Sequence, residues 1–201
     1  MAWLVAGLGN PGTRYAATRH NVGRMVVDAM ADARSERFRK SRFLPAEVVE
    51  THEAGERVLL VRSTRFMNES GPSFASLARK HDVEPDHIVA VHDELDIPQG
   101  TLRVKFGGGN NGHNGLRSLQ QALGTPEFMR VRAGIGRPPG RQDPADFVLQ
   151  PIPKKLETEI AILVDRAADA VRSLIADGLA ATQDRFNGAD PGDPPARATD
   201  P

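Results

Sequence analysis

The 201-residue chain has no cysteine, which excludes disulfides, a thiolate nucleophile, cysteine-ligated zinc and iron–sulfur clusters. Any nucleophilic step must run through oxygen, nitrogen or water. No G-x-S-x-G elbow and no H-E-x-x-H pair occurs, so serine-hydrolase and zincin chemistry lack their residues. There is no stretch of roughly 18 or more apolar residues, and Met1 to Gly12 lacks a charged start before a long hydrophobic run. A chain with no membrane segment, residing in the cytoplasm, is expected. Net charge is also missing: 26 basic residues balance 26 acidic ones, giving no overall pull toward a polyanion. What is present, 39% hydrophobic and 26% charged residues, suits one globular domain.

The balance of charge hides two basic blocks. Residues 13–42 hold eight Lys/Arg (Arg14, Arg19, Arg24, Arg34, Arg37, Arg39, Lys40, Arg42) against Asp28, Asp32 and Glu36, a local 8 − 3 = +5. Residues 101–142 set Arg103, Lys105, Arg117, Arg130, Arg132, Arg137 and Arg141 against Glu127 alone, 7 − 1 = +6. Clustered cations of this kind suit a polyanion, although for any single arginine a solvated face is the simpler reading.

Trp3 to Ala6 reads as a buried strand, followed by loop chemistry to about His20. Asn21 can cap a helix to about Arg34, whose apolar face is Val22, Met25, Val26, Ala29, Met30 and Ala33. Residues 46–51 and 57–63 form a predicted hairpin, and Pro72 opens a helix carrying Phe74, Leu77 and Ala78. Strands are predicted at 87–92, 101–105 and 129–135, with a helix carrying Leu116, Leu119 and Leu123. Leu156 to Ile175 makes a last amphipathic helix, with Gly178 as its expected cap. This order predicts an α/β fold: a single domain with a twisted mixed β-sheet flanked by helices on both faces. From Gly188 to Pro201 there are four prolines and no large apolar residue, so a disordered tail is expected after a domain spanning 1–187.

Gly7 to Gly12 (GLGNPG) fits the dinucleotide-binding G-x-G-x-x-G pattern, but its context argues against that use. Pro11 stiffens the turn, the predicted helix starts about ten residues later, and Asp32 falls within a helix rather than at a strand end. The glycine-rich 107–115 stretch lacks the Lys-Ser/Thr ending of a P-loop. His20, at a helix start where a cation is disfavoured, is expected to stay neutral and able to take a proton. Asp93 sits at the carboxyl end of an apolar strand, where α/β proteins place site residues, and a carboxylate there could orient a histidine. An acidic loop or a cation site would account for 93–96 equally well. Asn10, Asn68, Asn110, Asn111 and Asn114 recur in the predicted loops, where amides can hold ester and peptide groups or simply form turns.

Taken together, GLGNPG with Tyr15, TRHNVG (18–23), FMNESG (66–71), HDELDIPQG (92–100), KFGGGNNGHNGLRS (105–118), GTPEFMRVRAGIGRP (124–138) and FVL (147–149) strongly resemble bacterial peptidyl-tRNA hydrolases. The resemblance covers about residues 3–187, with motif order and spacing intact. It implies a metal-independent, cofactor-free and monomeric esterase. The implied substrate is peptidyl-tRNA, held by its acceptor stem and 3′ CCA end and cleaved between peptide and 3′ ribose.

By the same resemblance His20 is the general base that activates water, Asp93 orients it, and Asn10 lies beside it and separates peptidyl from free aminoacyl esters. Tyr15, Phe66, Asn68 and Asn114 contact substrate, and Met67 lines the same cleft. Lys105 and Arg132 clamp the tRNA 5′ phosphate, and Arg103, Arg117 and Arg130 are candidates to extend that cluster, although strand alternation puts Arg130 and Arg132 on one face with Val131 on the other, so not every arginine need touch RNA. Two departures stand out: Arg62-Ser63-Thr64-Arg65 replaces a Lys-Pro pair common before FMN in the family, and the tail is longer. Because relatives of this scaffold serve as splicing factors, an RNA-binding module is the alternative function. The presence of His20, Asp93, Asn10, Asn68 and Asn114 favours catalysis.

Overall fold

The computed structural model describes residues 2–188; the predicted tail, apart from Gly188, lies outside the described residues. The first half of the chain forms β1 (Ala2–Gly7), α1 (Val22–Asp32), a short β2 (Arg39–Lys40), β3 (Ala46–Glu53), β4 (Glu56–Ser63) and α2 (Gly71–Lys80). The second half forms β5 (Ile88–Glu94), β6 (Leu102–Phe106), α3 (Asn114–Leu123), β7 (Met129–Gly134), α4 (Pro144–Val148) and α5 (Glu157–Phe186). The predicted elements are all there. β2 and α4 are additions, both too short to show a hydrophobic period.

The seven strands form one sheet in the order β2-β3-β4-β1-β5-β7-β6. Its centre, β4-β1-β5-β7, is parallel, and antiparallel strands close both edges. A parallel centre must be covered on both faces, which explains why the middle of β4, Val58 to Val61, is apolar without alternation. On one face Val5, Val58, Leu60, Val89 and Val91 pack under α1 and α5. On the other Leu4, Ala6, Leu59, Val61, Ile88 and Ala90 pack under α2 and α3. The mixed sheet with helices on both faces is therefore observed.

One end differs from expectation and one agrees with it. Asn21 precedes α1 but makes no side-chain cap, because its amide is used on the backbone of Asn10, across the loop that precedes it. Gly178, the expected cap, does break the helix, at φ 81° and ψ 180°, and a second helical segment follows directly to Phe186. The second segment earns its place by packing, since Phe186 is buried and the Thr182 hydroxyl donates to the Gly178 carbonyl at 2.7 Å.

α1 approaches β5 at Gly23, where an added Cβ would lie 2.0 Å from the Val91 carbonyl oxygen. Only hydrogen fits there. Gly23→Ala is expected to destabilise the protein by about 2 kcal/mol or more, the range for overpacking against rigid backbone. Urea denaturation with an unchanged m-value would check it.

Candidate active site

β1 lies between β4 and β5, and all three are parallel, so the loops leaving their carboxyl ends meet at one rim. Chain order reverses across β1, and clefts in open α/β sheets form at such a point. The loop after β1 ends in a single 3-10 turn, Arg19–Asn21, that carries His20. The 3-10 turn Met67–Glu69 follows β4, and Asp93 is the penultimate residue of β5, paired with Ala133 of β7.

These elements bring together groups 73 residues apart. His20 Nδ1 lies 2.9 Å from Asp93 Oδ1 and 3.1 Å from Oδ2, with both side chains buried. An ionised carboxylate only accepts, so Nδ1 carries the hydrogen and Nε2 is left with a lone pair. Burial alone would lower the His20 pKa, but the Asp93 charge and hydrogen bond outweigh it and raise the imidazole above its ordinary value. The expectation of a depressed, neutral imidazole at a helix start is thus reversed by a buried carboxylate. Burial would raise the Asp93 carboxyl, yet the facing His20 and His113 rings hold it far below the usual carboxylate range. Asp93 is ionised at any working pH.

The amides are oriented as tightly. Asn21 Oδ1 accepts from the Asn10 backbone N–H at 2.8 Å, and its Nδ2 donates to the Asn10 carbonyl at 2.9 Å. Asn10 Oδ1 in turn accepts from the Met67 N–H at 2.8 Å. With its oxygen thus occupied, Asn10 presents Nδ2 as a donor. Asn10, His20, Phe66, Met67, Asn68 and Asn114 line one cavity of about 240 Å³, closed by Ala145, Val148 and Leu149. Tyr15 packs edge-on against Phe66, ring centroids 6.2 Å apart, at the same rim. A second cavity of about 360 Å³ adjoins His20 and Asn114 and is bordered by Asp93, Glu94, His113 and Arg137.

The basic blocks divide. Arg132 is tied to the buried Glu94 carboxylate at 3.1 Å, and Lys105 stands on β6 with its pKa lowered by burial, Arg132 and Arg130. Arg130 does not extend this surface. Its side chain is fully buried and its guanidinium donates to the carbonyls of Gly108, Gly109 and Pro126, so it staples the glycine-rich loop. Arg103 donates to the Leu102 carbonyl, whereas Arg117 is exposed on α3. In the 13–42 block Arg24 and Arg34 are in ion pairs with Glu47 and Glu53, and Arg19 is buried over the Phe147 ring at 4.2 Å. Arg37, Arg39, Lys40 and Arg42 instead line a separate cavity of about 440 Å³ at the β2–β3 edge.

Two contributors escaped the sequence reading. α4 supplies one wall of the cleft; its signal is Asp143-Pro144, an N-cap accepting from Ala145 N–H at 2.8 Å followed by proline in the first turn. His113, inside the glycine-rich stretch, reaches Asp93 with Nε2 at 2.9 Å. No spacing in the sequence announces it. His20, Asp93 and His113 are the one group among the described residues close enough to share an ion. Their facing atoms are hydrogen-bonded to one another, and a cation would have to displace the hydrogens on both rings.

The chain is similar to known proteins along most of its length. A family model described as peptidyl-tRNA hydrolase matches residues 4–193. The peptidyl-tRNA hydrolase of Frankia casuarinae is 54% identical over 185 residues, covering 92% of this chain and 93% of that protein. That of Cutibacterium acnes is 48% identical, covering 92% and 98%. The crystal structure of peptidyl-tRNA hydrolase from Acinetobacter baumannii superposes with a TM-score of 0.87 at 32% identity, covering 94% of this chain and 96% of that one. With its mixed sheet, its carboxyl-end cleft and these matches along almost the whole described length, the chain belongs to the peptidyl-tRNA hydrolase family.

Proposed function

We propose that the protein hydrolyses the ester between a peptide's C-terminal carboxyl and the 3′ ribose of tRNA, returning tRNA to use after aborted translation. The observation that carries this is the His20 imidazole, held through Nδ1 by a buried carboxylate and bordering a cavity lined by three asparagine amides. His20 Nε2 takes a proton from water as the water oxygen bonds to the ester carbonyl carbon. The carbonyl oxygen becomes an oxyanion, for which Asn10 Nδ2 is a donor already turned outward by its bond to Met67. Collapse breaks the bond to O3′, and the proton on His20 passes to that leaving oxygen. An ester is activated enough that an imidazole near neutral pH suffices as base.

In this reading Asn10 also distinguishes peptidyl from free aminoacyl esters, and Asn68 and Asn114 hold the peptide and ester groups by donor and acceptor. Tyr15 and Phe66 contact the substrate from the rim, with Met67 beneath them. Lys105 and Arg132 receive the 5′ phosphate, Arg132 held in place by Glu94. The acceptor stem and 3′ CCA end are the parts of tRNA engaged, and residues 1–187 work as one monomeric domain in the cytoplasm. No helix among the described residues is long and apolar enough to cross a membrane.

Release of a labelled N-acetyl-aminoacyl group from tRNA, measured in EDTA beside the free aminoacyl ester, tests the reading. Selective release of the blocked ester is expected, and tRNA binding without release would overturn it in favour of an RNA-binding module. Lys105→Ala is expected to raise KM for the tRNA ester about tenfold and to flatten its salt dependence by about one phosphate contact. A change in kcat as large as that in KM would count against the phosphate role.

A further inference from the structure

We propose that His113 is a positioning residue that fixes the hydrogen on His20 by binding the N-terminus of α3 with one ring nitrogen and Asp93 with the other. The inference rests on the ester hydrolysis proposed for His20. His113 occupies the N-cap of α3, and its Nδ1 accepts from the backbone N–H groups of Gly115 at 3.1 Å and Leu116 at 3.3 Å. Two donors aimed at one ring nitrogen require a lone pair there, so the ring hydrogen sits on Nε2. Nε2–H then donates to Asp93 Oδ1 at 2.9 Å, the same oxygen that His20 Nδ1 faces at 2.9 Å.

Two consequences follow from the shared oxygen. His113 cannot serve as the base, since its accepting nitrogen is turned into the helix and its other nitrogen faces a carboxylate. Asp93, for its part, is gripped from two directions and cannot swing away from His20. The rings of His20 and His113 are in contact, centroids 4.8 Å apart, and His92 supports His113 edge-on at 5.0 Å. His92 is itself held by the Asp93 carbonyl at 2.7 Å. The lie of α3 is therefore transmitted through one imidazole to the carboxylate that orients the base, and Gly115 stands at the junction, where an added Cβ would run into Met67 Sδ and lie 3.1 Å from His113 Cε1.

The two duties of the ring can be separated by substitution. Asparagine is a good N-cap whose oxygen falls near the position of Nδ1 but is too short to reach Asp93. Glutamine is a poor cap long enough to offer Asp93 an N–H. His113→Asn is expected to keep the thermal midpoint within about 1 °C while lowering kcat on the blocked ester about tenfold or more with little change in KM. In the same variant, ¹⁵N NMR of the ring nitrogens is expected to show His20 losing its exclusive Nδ1–H form. His113→Gln is expected to lower the midpoint by about 3 °C and to recover much of kcat and of the Nδ1–H form.

A folded His113→Asn protein with wild-type kcat and wild-type His20 nitrogen shifts would overturn the proposal; His113→Ser, which also caps, serves if the Asn variant does not fold. Should wild type fail to cleave the blocked ester, the functional reading falls. The nitrogen shifts of His20 then decide the positioning role independently.

Discussion

His20→Ala is expected to lower kcat on N-acetyl-aminoacyl-tRNA by about 10³-fold, within the range set by removing a general base, while the affinity for tRNA stays near wild type. The reason is geometric. His20 is held at 2.9 Å by a buried carboxylate, and no other imidazole can take over: His113 is committed to helix α3, and His92 is fully buried with its pKa pushed well below the ordinary value by burial. A single-turnover assay with a filter-binding titration of the same variant separates the two quantities. A loss shared equally between kcat and binding would assign His20 to substrate affinity and remove it from the chemistry.

The wild-type pH profile follows from the same pair. Nε2 must be unprotonated to act, and Asp93 raises the His20 pKa. Activity is therefore expected to fall as the pH drops through a midpoint above about 6.5, the ordinary histidine value. The titratable and charged groups around the pair are His92 and Glu94, on β5 with Asp93, and His113 at the start of α3, with Arg137 and Asp143 at the cavity mouth.

Asp93→Asn is the second large effect, expected to cost about 10²–10⁴-fold in kcat. An asparagine at this place can turn its NH₂ toward His20 Nδ1, which would then have to accept, moving the hydrogen to Nε2 and abolishing the lone pair that the reaction uses. The remaining influence on His20 is burial, which lowers its pKa, so the acid limb is expected to shift to lower pH even as the rate collapses. A limb that stays where wild type has it would mean that Asp93 does not control the base. Because Asp93 also accepts from His113, the substitution is expected to weaken the start of α3 as well, detectable as faster amide exchange at Gly115 and Leu116.

Much of this architecture was legible along the chain. The unbroken apolar run of β4, the three-and-four spacing of α1 and the alternation of β7 each report a local element and its buried face, and β1 to β7 follow from such runs apart from the two-residue β2. The resemblance of the loop motifs supplied His20, Asp93, Asn10, Asn68 and Asn114 as candidates. Periodicity could place Arg130 and Arg132 on one strand face, but it could not say that the first is walled in by the glycine-rich loop and the second is paired with Glu94. It also suggested a capping Asn21, whereas the fold spends that amide on Asn10.

What the sequence determined by itself is the set of elements and the family, because turn chemistry, hydrophobic period and motif spacing are local properties of the chain. The tertiary structure decided which buried polar groups meet. Asp93 faces His20 because β1 and β5 are neighbours in register, and His113 faces Asp93 because Arg130 and the α3 cap hold the 107–115 loop over the end of β5. The protonation states of the three follow from those encounters. The charge of a buried carboxylate and its 2.9 Å hydrogen bond together outweigh the effect of burial on the His20 imidazole, and that carboxylate lies 73 residues away.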